Sequence, residues 1–331
     1  MTVPAERAAH RRIGELTVSP LGLGCMGMSF AYGPADRPEA LATLNHALDV
    51  GINLLDTADM YGRGDNERLL AEVLARRRDE VVLATKFGIL IDPHTGYPTG
   101  AIDGSPQYVR VAVDASLQRL GVEVIDLYYV HRIDPARPIE ETMLALAQLV
   151  HAGKIREIGL SEASADSLRR AAAVHPVAAL QSEWSLFSRD IENDALPAAR
   201  EVGATVVPYS PLGRGLLTGS VAAATIGNDD FRSTLPRWQA GNLEHNLALV
   251  DEVRAVATEV DATLGQVALA WLLAQGDDVV PIPGTKRRRY LDENIGALDV
   301  HLSAEQLRRL SGLRAAGDRY PDMTWVAGTS G

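Results

Sequence analysis

The stretch "SPQYVRVAVDASLQRLGVEVIDLYYVH", Ser105 to His131, contains the repeating unit that decides the fold. Ser105 is a favourable N-cap, Pro106 suits the first helical turn, and Gly121 is typical of the position after a helix. The run from Val124 to His131 is almost continuously apolar, as expected for a strand that is buried on both faces. The stretch therefore predicts a helix followed by a buried strand.

The same alternation of helix and strand recurs along the chain. The stretch "DRPEALATLNHALDVG" places apolar residues on one helical face before Gly51. Eight short apolar runs are predicted to be strands: Leu21–Gly24, Ile52–Asp56, Val81–Lys86, Val124–His131, Ile155–Ser161, Val177–Ser182, Ala204–Ser210 and Val279–Pro283. Eight buried strands separated by helices favour an α/β fold in which parallel strands close into a (β/α)8 TIM barrel, rather than an open sheet. We expect this barrel to form a single domain over residues 1–331.

Two additions to the barrel are expected. The stretch "RRIGELTVSP" predicts a short N-terminal hairpin around Gly14, over residues 10–18. The long segment Gly213–Asn242 is polar and contains glycine, and we interpret it as a candidate lid. A long helix, one of several extra C-terminal helices, is predicted over Leu243–Gln275.

The composition narrows the classes of partner. The mean hydropathy is −0.03 and the formal net charge is −11, so nucleic acid is not an expected partner, since no global positive field is available. No apolar run approaches the roughly 20 residues needed to cross a bilayer, so no membrane partner is expected. The N-terminus lacks the apolar core of a secretion signal, and the single cysteine, Cys25, excludes an intramolecular disulfide. A cytoplasmic location is therefore expected, and nothing in the sequence indicates the oligomeric state.

Polar residues end three of the predicted strands. Asp56 ends the second strand, Lys86 the third and His131 the fourth. Tyr61 lies in the loop after the second strand. Each residue alone has a structural explanation, Asp56 as a helix cap, His131 as a core histidine and Tyr61 as a packing residue. Because the chemistry of such barrels lies at the C-terminal ends of the strands, their joint placement predicts one site at one mouth of the barrel.

These four residue types suit proton transfer. A neighbouring ammonium is expected to lower the pKa of the Tyr61 phenol, and the Asp56 carboxylate is expected to keep Lys86 charged despite burial. His131 can orient a substrate oxygen or share the proton. No metal is expected, because His131 has no second histidine at ligand spacing, and Asp56 with Asp59 does not make a zinc or calcium site.

Two stretches suit a bound phosphate group. The loop "YSPLGRGLLTG" contains Arg214 and glycines whose backbone amides are accessible to an anion. The stretch "PIPGTKRRRYLDEN" places the basic cluster Thr285–Arg289 at a helix start. Cations at a helix N-terminus are unfavourable, because that end of the helix dipole is positive. A bound phosphate would interact favourably with both the cations and the helix end, whereas the alternative interpretation is a solvated basic surface. A third stretch, "GLGCMG" at Gly22 to Gly27, matches G-x-G-x-x-G but is not followed directly by a helix, so a Rossmann site is rejected.

Seven motifs relate the chain to a known family: "DTADMYG", "ATKFG", "YYVHRID", "GKIREIGLSE", "LQSEWSLFSR", "PYSPLGRGLLTG" and "IPGTKRRRYLDENIGAL". With them the sequence resembles an aldo-keto reductase from Arg11 to about Leu313. It is most similar to the bacterial and plant oxidoreductases that resemble auxin-induced proteins and perakine reductase. The resemblance implies reversible reduction of a small aldehyde or ketone, with NADP(H) as cofactor and NAD(H) as the alternative.

The resemblance also implies a role for each strand-end residue. Tyr61 would be the general acid, supported by Lys86 and Asp56, and His131 would orient the carbonyl. Tyr209 would stack on the nicotinamide, which supplies the hydride.

A cofactor in extended form is implied along the loops that follow the later strands. Ser161 and Gln181 would hold the carboxamide, the loop Ser210–Leu216 would wrap the pyrophosphate, and Thr285 with Lys286 would hold the 2′-phosphate of adenosine. The full set of implied cofactor residues is Gly24, Met26, Ser161, Gln181, Tyr209, Ser210, Pro211, Leu212, Gly213, Arg214, Gly215, Leu216, Gly284, Thr285, Lys286, Arg289, Glu293 and Asn294.

Two positions depart from the family pattern. Glu162 stands where many members carry asparagine after the serine. Tyr290 stands where several carry a phosphate-binding arginine, a role that Arg289 is expected to take. The second departure bears on the preference for NADP(H).

Five aromatic residues are candidates to line an apolar substrate pocket over the nicotinamide: Phe30, Tyr32, Trp184, Phe187 and Trp238. Core packing explains any one of them equally well. Arg232, in "DFRS", is a candidate to meet an acidic group of the substrate.

Two other functions fit the same residues. One is a nicotinamide-binding regulatory subunit, like the potassium-channel β-subunits that share this barrel. The other is an unrelated barrel isomerase or lyase that uses the same acid–base groups without a cofactor. Steady consumption of NADPH with simple aldehydes would argue against the regulatory subunit. The isomerase or lyase predicts no change in nucleotide fluorescence on mixing.

Overall fold

A parallel sheet forms the centre of the molecule, whose computed structural model describes residues 10–219 and 230–328. In chain order the strands are β1 (Arg11–Ile13), β2 (Leu16–Val18), β3 (Leu23–Gly24), β4 (Leu54–Asp56), β5 (Val82–Phe87), β6 (Ile89–Ile91), β7 (Pro98–Ile102), β8 (Ile125–Val130), β9 (Ile155–Ser161), β10 (Ala179–Glu183) and β11 (Thr205–Tyr209). Seven of them form the parallel sheet, in the order β11-β10-β9-β8-β5-β4-β3. Neighbours in sequence are also neighbours in space, which is the topology of a (β/α)8 barrel.

Helices follow most of these strands and cover the outside of the sheet. They are α1 (Arg37–Asp49), α2 (Asp65–Arg77), α3 (Pro106–Leu120), α4 (Ile139–His151), α5 (Ala165–Val174), α6 (Ala195–Glu201), α7 (Asn242–Glu259), α8 (Leu264–Leu273), α9 (Arg288–Ile295) and α10 (Ala304–Ser311). The capping predicted for α3 is confirmed: Ser105 accepts a hydrogen bond from the Tyr108 amide, and Gly121 ends the helix at φ 67°.

The eighth predicted strand closes the gap between β11 and β3, although it forms only isolated bridges. The Val280 amide donates to the Val206 carbonyl at 2.8 Å on one side. On the other side the Gly22 amide donates to the Pro281 carbonyl at 2.9 Å. Proline has no amide hydrogen to return toward β3, so the ladder is incomplete there and no regular strand forms. The predicted barrel is confirmed. The pairing between the eighth segment and β3, which we call the seam, is irregular.

The predicted N-terminal hairpin is also confirmed. β1 and β2 pair antiparallel, with Arg11 opposite Val18. Ile13, Leu16 and Val18 are buried and pack with the side chains inside the barrel, among them Leu54 and Leu127. The hairpin therefore closes the end of the barrel opposite the predicted site.

One predicted helix is wrong. In place of a single helix over Leu243–Gln275, the structure has α7 and α8, which meet at an angle of 86°. Asp261 adopts a left-handed φ of 50°, and Thr263 caps α8 in a capping box with Gln266. These local signals end one helix and start the next. Among the described residues no single helix has the length and apolarity to cross a membrane, and only the bent α7–α8 pair passes that test, by length and composition alone.

Two segments at the C-terminal end of the barrel extend beyond the predicted elements. β6 and β7 form an antiparallel hairpin directly after β5. Residues 314–328, which we call the C-terminal segment, follow α10 and return to the barrel, where the Ser164 amide donates to the Gly328 carbonyl at 3.0 Å. Ten residues of the candidate lid, 220–229, lie outside the described residues, and Phe231–Thr234 and Pro236–Trp238 form short 3-10 turns.

Candidate active site

Asp56, Lys86 and Tyr61 meet at the C-terminal end of the barrel. Leu54 and Ala84 point into the barrel, and two residues further along the same strands Asp56 and Lys86 occupy the same face. The ammonium of Lys86 donates to Asp56 Oδ1 at 2.5 Å and lies 3.4 Å from the Tyr61 hydroxyl. The three side chains are buried, with Lys86 fully inaccessible. The carboxylate, the ammonium and the phenol therefore form one connected group.

The loop after β4 holds Tyr61 by an unusual turn. Gly62, Arg63 and Gly64 all have left-handed φ angles, between 57° and 83°. A Cβ atom on Gly62 would lie 3.0 Å from the Ser29 carbonyl oxygen, so the chain approaches the loop after β3 closely. Asn66 ties the same two loops, since its side-chain amide donates to the Cys25 carbonyl at 2.9 Å.

The protonation states in this group differ in part from the expectation. Burial raises the pKa of Tyr61 above its ordinary value, and this effect exceeds the lowering by Lys86. The expected lowering of that pKa is therefore wrong in its net direction. Burial lowers the pKa of Lys86, but Asp56 and Tyr61 raise it by more, so the net shift is upward. At neutral pH the lysine is charged and the phenol carries its proton, which is the form that a proton donor requires.

His131 follows β8 and faces Tyr61. The two rings meet edge to face, with centroids 5.9 Å apart. Burial, followed by the charges of Arg132 and Lys86, lowers the pKa of His131 well below its ordinary value. Its Nδ1 is buried and makes no hydrogen bond within the described part of the chain. The imidazole is therefore neutral and can donate one hydrogen bond to a substrate oxygen.

Arg132 is a residue of the site that was not predicted from the sequence. Its guanidinium donates to the His131 carbonyl at 2.7 Å and to the Ser161 hydroxyl at 3.3 Å. It also lies against the Trp325 ring, 5.7 Å from the centroid. A charged residue next to the histidine in "YYVHRID" is the signal that would have identified it.

The two residues expected to hold the nicotinamide carboxamide lie in the barrel mouth with other partners. The Gln181 amide donates to Asp56 Oδ2 at 2.8 Å, and the Ser161 hydroxyl accepts the bond from Arg132. Both side chains are almost fully buried. Gln181 therefore also fixes the carboxylate that pairs with Lys86.

Glu162, the first departure from the family pattern, has a buried cation as its partner. It adopts a left-handed φ of 51° and is 4% exposed. Its carboxylate accepts two bonds from Arg319, at 2.8 and 3.1 Å, and one from the Tyr209 hydroxyl at 2.8 Å. Arg319 belongs to the C-terminal segment, which was not predicted to take part in the site. The segment thus compensates a carboxylate that would otherwise be buried unpaired.

The loop after β11, which is expected to hold a pyrophosphate, has several residues in left-handed backbone conformations. Ser210, Gly213, Arg214 and Gly215 have left-handed φ angles between 48° and 102°. The Arg214 guanidinium is paired with Glu183 at 2.8 Å and donates to the Tyr320 hydroxyl at 2.8 Å. Tyr209, Ser210 and Leu212 are partly accessible, and Pro211 and Leu216 are buried.

The basic cluster spans the start of α9, as predicted, with Arg288 and Arg289 as the first residues of the helix. The Lys286 ammonium donates to the carbonyls of Tyr32, Gly33 and Pro34 at 2.8–3.2 Å, and its pKa is lowered by burial and by Arg287. The remaining predicted residues around it have mixed exposure: Gly284 and Arg289 are exposed, Thr285 and Glu293 are half-buried, and Asn294 is buried. Gly24 lies beside this loop, since a Cβ on it would approach the Ile282 carbonyl to 2.9 Å.

A dinucleotide fits these residues by their chemistry and placement. Tyr209 offers a ring, the loop after it offers left-handed, glycine-containing backbone, and Lys286 offers a half-buried ammonium beside exposed arginines. These groups suit, respectively, a flat ring, a pyrophosphate and a further phosphate. Met26 and Gly24, from the end of β3, border the same mouth and are partly accessible.

The candidate substrate residues divide into three groups. Phe30 stacks on Tyr61 with centroids 6.2 Å apart, and packs with Met60, Ile89 and Trp325 in one apolar cluster. Tyr32 contacts Phe231 edge to face at 5.2 Å. Phe187 and Trp238 line a small cavity together with Arg237 and Arg319.

The other two substrate candidates have partners within the chain. Trp184 is 1% exposed, packs on Trp271 and donates to Glu192 at 2.8 Å, so it is a core residue behind the sheet. Arg232 is paired with Asp230 at 2.6 Å, and its guanidinium lies between the Tyr32 and Trp238 rings. It therefore fastens its loop.

The opposite end of the barrel has a different character. A groove of about 730 Å³ lies there, lined by residues at the N-terminal ends of the strands. Its buried carboxylate, Asp126, is paired with Arg78 at 2.8 Å and with Arg156 at 3.4 Å. Within residues 10–219 and 230–328 no group of three or more histidine, cysteine, aspartate or glutamate side chains is arranged to hold a metal ion.

The sequence matches a known family over most of its length. The model of the aldo/keto reductase family matches residues 20–315. The chain belongs to the aldo/keto reductase family. Members of this family are oxidoreductases. In this chain Lys86 contacts both Asp56 and Tyr61, which lies in the loop after β4.

Individual relatives support the assignment. The chain is 47% identical over 321 residues to the aldo-keto reductase yakc [NADP(+)] of Schizosaccharomyces pombe, covering 94% of each chain. It is 46% identical over 303 residues to the probable aldo-keto reductase 1 of Glycine max, covering 91% of this chain and 87% of the relative. The solved glycerol dehydrogenase AKR11B4 from Gluconobacter oxydans superposes with a TM-score of 0.83 at 32% identity, over 91% of this chain and 93% of that one.

Proposed function

We propose that this aldo/keto reductase reduces aldehydes or ketones to alcohols with NADPH, reversibly, and that Tyr61 donates the proton. The observation that carries the proposal is the Lys86 ammonium, which lies between the Asp56 carboxylate and the Tyr61 hydroxyl at the barrel mouth. The NADP(+) in the name of the fungal relative supports the choice of cofactor. A bound nicotinamide would supply the hydride to the carbonyl carbon.

The residues of the chain supply the rest of the chemistry. As the carbonyl oxygen gains negative charge, Tyr61 gives it a proton, and the nearby charge of Lys86 stabilises the phenolate that remains. Asp56 and Gln181 hold the ammonium in place. Neutral His131 donates a hydrogen bond to the same oxygen and so orients it.

Replacement of Tyr61 by phenylalanine tests this proposal. Tyr61→Phe should bind NADPH nearly as well as the wild type but lose about 10²–10⁴-fold in turnover, because the proton donor is gone. NADPH absorbance in the presence of an aldehyde measures turnover, and cofactor fluorescence measures binding. Tyr97→Phe is the matched control, since Tyr97 is a tyrosine of the same mouth that is 65% exposed. Near-wild-type turnover of Tyr61→Phe would show that the assignment of the proton donor is wrong.

A further inference from the structure

Arg132 is a buried cation of the site without an anionic partner. It is 7% exposed, and no carboxylate lies within ion-pair distance of it among the described residues. Its Nε is buried and makes no hydrogen bond within that part of the chain. Burial of an uncompensated charge is costly, so a guanidinium in this state calls for an anion.

The buried carboxylates nearest to Arg132 in the site already have cations. Asp56 is paired with Lys86 at 2.5 Å, and Glu162 is paired with Arg319 at 2.8 Å. The side-chain contacts that Arg132 does make are neutral, with the Ser161 hydroxyl and the Trp325 ring. Neither contact neutralises the guanidinium.

The surroundings of Arg132 describe the molecule that would supply the anion. Arg132 follows His131, whose ring faces Tyr61, and its guanidinium donates to the His131 carbonyl, so it belongs to the same barrel mouth. The adjoining wall is apolar and includes Phe30, Met60, Ile89 and Trp325 around Tyr61. A ligand that fills this mouth would have an apolar body and one negative group directed at Arg132.

We propose that Arg132 recognises an anionic group, such as a carboxylate, on the carbonyl substrate, so that the preferred substrates are apolar aldehydes or ketones that carry an acid. The guanidinium presents a planar set of donors that matches a carboxylate, and such a bond is stronger than one between neutral groups. The proposal rests on the proposed reductase function and defines the class of substrate for it.

A matched pair of aldehydes separates this proposal from a general catalytic role. The probes are 4-carboxybenzaldehyde and its neutral methyl ester, methyl 4-formylbenzoate, with 3-carboxybenzaldehyde and its ester as a second geometry. We expect the wild type to reduce at least one acid with kcat/KM about 10-fold or more above that of its ester, through a lower KM. In Arg132→Met this acid-to-ester ratio should fall toward one, and Arg132→Lys should retain part of it.

Arg137→Met is the control variant, because Arg137 lies on the same loop but is 40% exposed and pairs with Glu141 at 3.3 Å. Its acid-to-ester ratio should equal that of the wild type. Inhibition of the wild type provides a second test that does not depend on the folding of any variant. Benzoate should compete with methyl 4-formylbenzoate more strongly than benzamide does.

Two results would overturn the proposal. One is a wild-type ratio near one for both pairs, with benzoate no better an inhibitor than benzamide. The other is an equal loss of kcat/KM for acid and ester in Arg132→Met, which would assign Arg132 to the general machinery of the site. Failure of the reductase function itself is distinguishable, since the wild type would then reduce neither the acids nor the esters.

Discussion

Asp59, in the loop between β4 and Tyr61, has one carboxyl oxygen that lacks a hydrogen-bond partner among the described residues. Its Oδ1 is buried and makes no hydrogen bond to any residue that the structure describes. Burial and the carboxylate of Glu67 raise the pKa of Asp59 to about 8, an effect that exceeds the lowering by Arg119. Between its ordinary value of 3.8 and about 8, the folded chain therefore retains a proton that the unfolded chain releases.

This difference in proton binding predicts that Asp59→Asn stabilises the protein increasingly as the pH rises from 6 to 8. The folded wild type holds more protons than the unfolded chain in this range, so its free energy of unfolding falls with pH by up to about 1.4 kcal/mol per unit. Asparagine has a similar shape and does not titrate. Urea unfolding at pH 6 and pH 8 measures the free energy of unfolding of both proteins. The excess of the variant over the wild type should grow by up to about 3 kcal/mol between these pH values.

The control for this measurement is Asp251→Asn, at a carboxylate on α7 that is 76% exposed. Its margin over the wild type should not change with pH. A margin of Asp59→Asn that stays constant or shrinks between pH 6 and pH 8 would contradict the raised pKa.

The side chains that meet at the barrel mouth can be predicted from the sequence, but their protonation cannot. The two-residue period of the strands predicts that Asp56 and Lys86 face the inside of the barrel at its mouth. Tyr61 is predicted to lie nearby because it is in the loop that follows Asp56. The net direction of the pKa shift of Tyr61 depends on how deeply the phenol is buried, and many distant residues together set that depth. The missing partner of Arg132 is likewise visible only when all neighbours are known.

At the scale of elements, the C-terminal segment is held by buried polar contacts. Arg319 bonds Glu162, and the Tyr320 hydroxyl accepts a bond from Arg214 at 2.8 Å. The Gly328 carbonyl accepts from Ser164 at 3.0 Å. Trp325 packs in the apolar cluster beside Tyr61. The segment therefore forms part of the wall of the candidate active site.

Removal of the Arg319 side chain should release this segment and weaken the fold. Arg319→Met leaves Glu162 buried without its cation, and breaking a buried pair in this way costs about 3–5 kcal/mol. Urea unfolding should show a loss of that order, and hydrogen exchange should rise in residues 314–328. Glu162→Gln combined with Arg319→Met should recover much of the loss, because residue 162 then no longer carries an unpaired charge. If the free energy of unfolding of Arg319→Met lies within about 0.5 kcal/mol of the wild-type value, the pair does not stabilise the fold.

Elements with strong local signals are predicted well, and those that depend on tertiary contacts are not. The cap, proline and terminal glycine of α3 fix its ends from local chemistry alone. The break between α7 and α8 has a local signal too, in Thr263 and Gln266, but the continuous apolar pattern obscures it. The C-terminal segment has no periodic pattern, and only its partners on the barrel give it a fixed place.

For the whole molecule, Lys286 links the loops that flank the seam of the barrel. The seam lies where the eighth segment pairs with β3, and its ladder is interrupted by Pro281 and Pro283. Lys286 follows this segment and bonds three carbonyls, from Tyr32 to Pro34, in the loop after β3. The same ammonium is the group expected to meet the 2′-phosphate of NADPH, so a cofactor phosphate and the loop would share it.

NADPH and NADH differ only by this phosphate, and their effects on thermal stability separate the two roles of Lys286. A ligand that binds the folded state raises Tm according to its affinity, so NADPH should raise the Tm of the wild type by more than NADH at equal concentration. Lys286→Met should reduce the NADPH shift by the equivalent of about 1.5–3 kcal/mol, the worth of a hydrogen bond to a charged group, and leave the NADH shift nearly unchanged. Lys154→Met is the matched control, since Lys154 pairs with Asp114 on the outer helices and should alter neither shift. If Lys286→Met reduced the Tm shifts caused by NADPH and NADH equally, Lys286 would act only by fastening the loop after β3. The choice of cofactor would then depend on Thr285, Arg287 or Arg289.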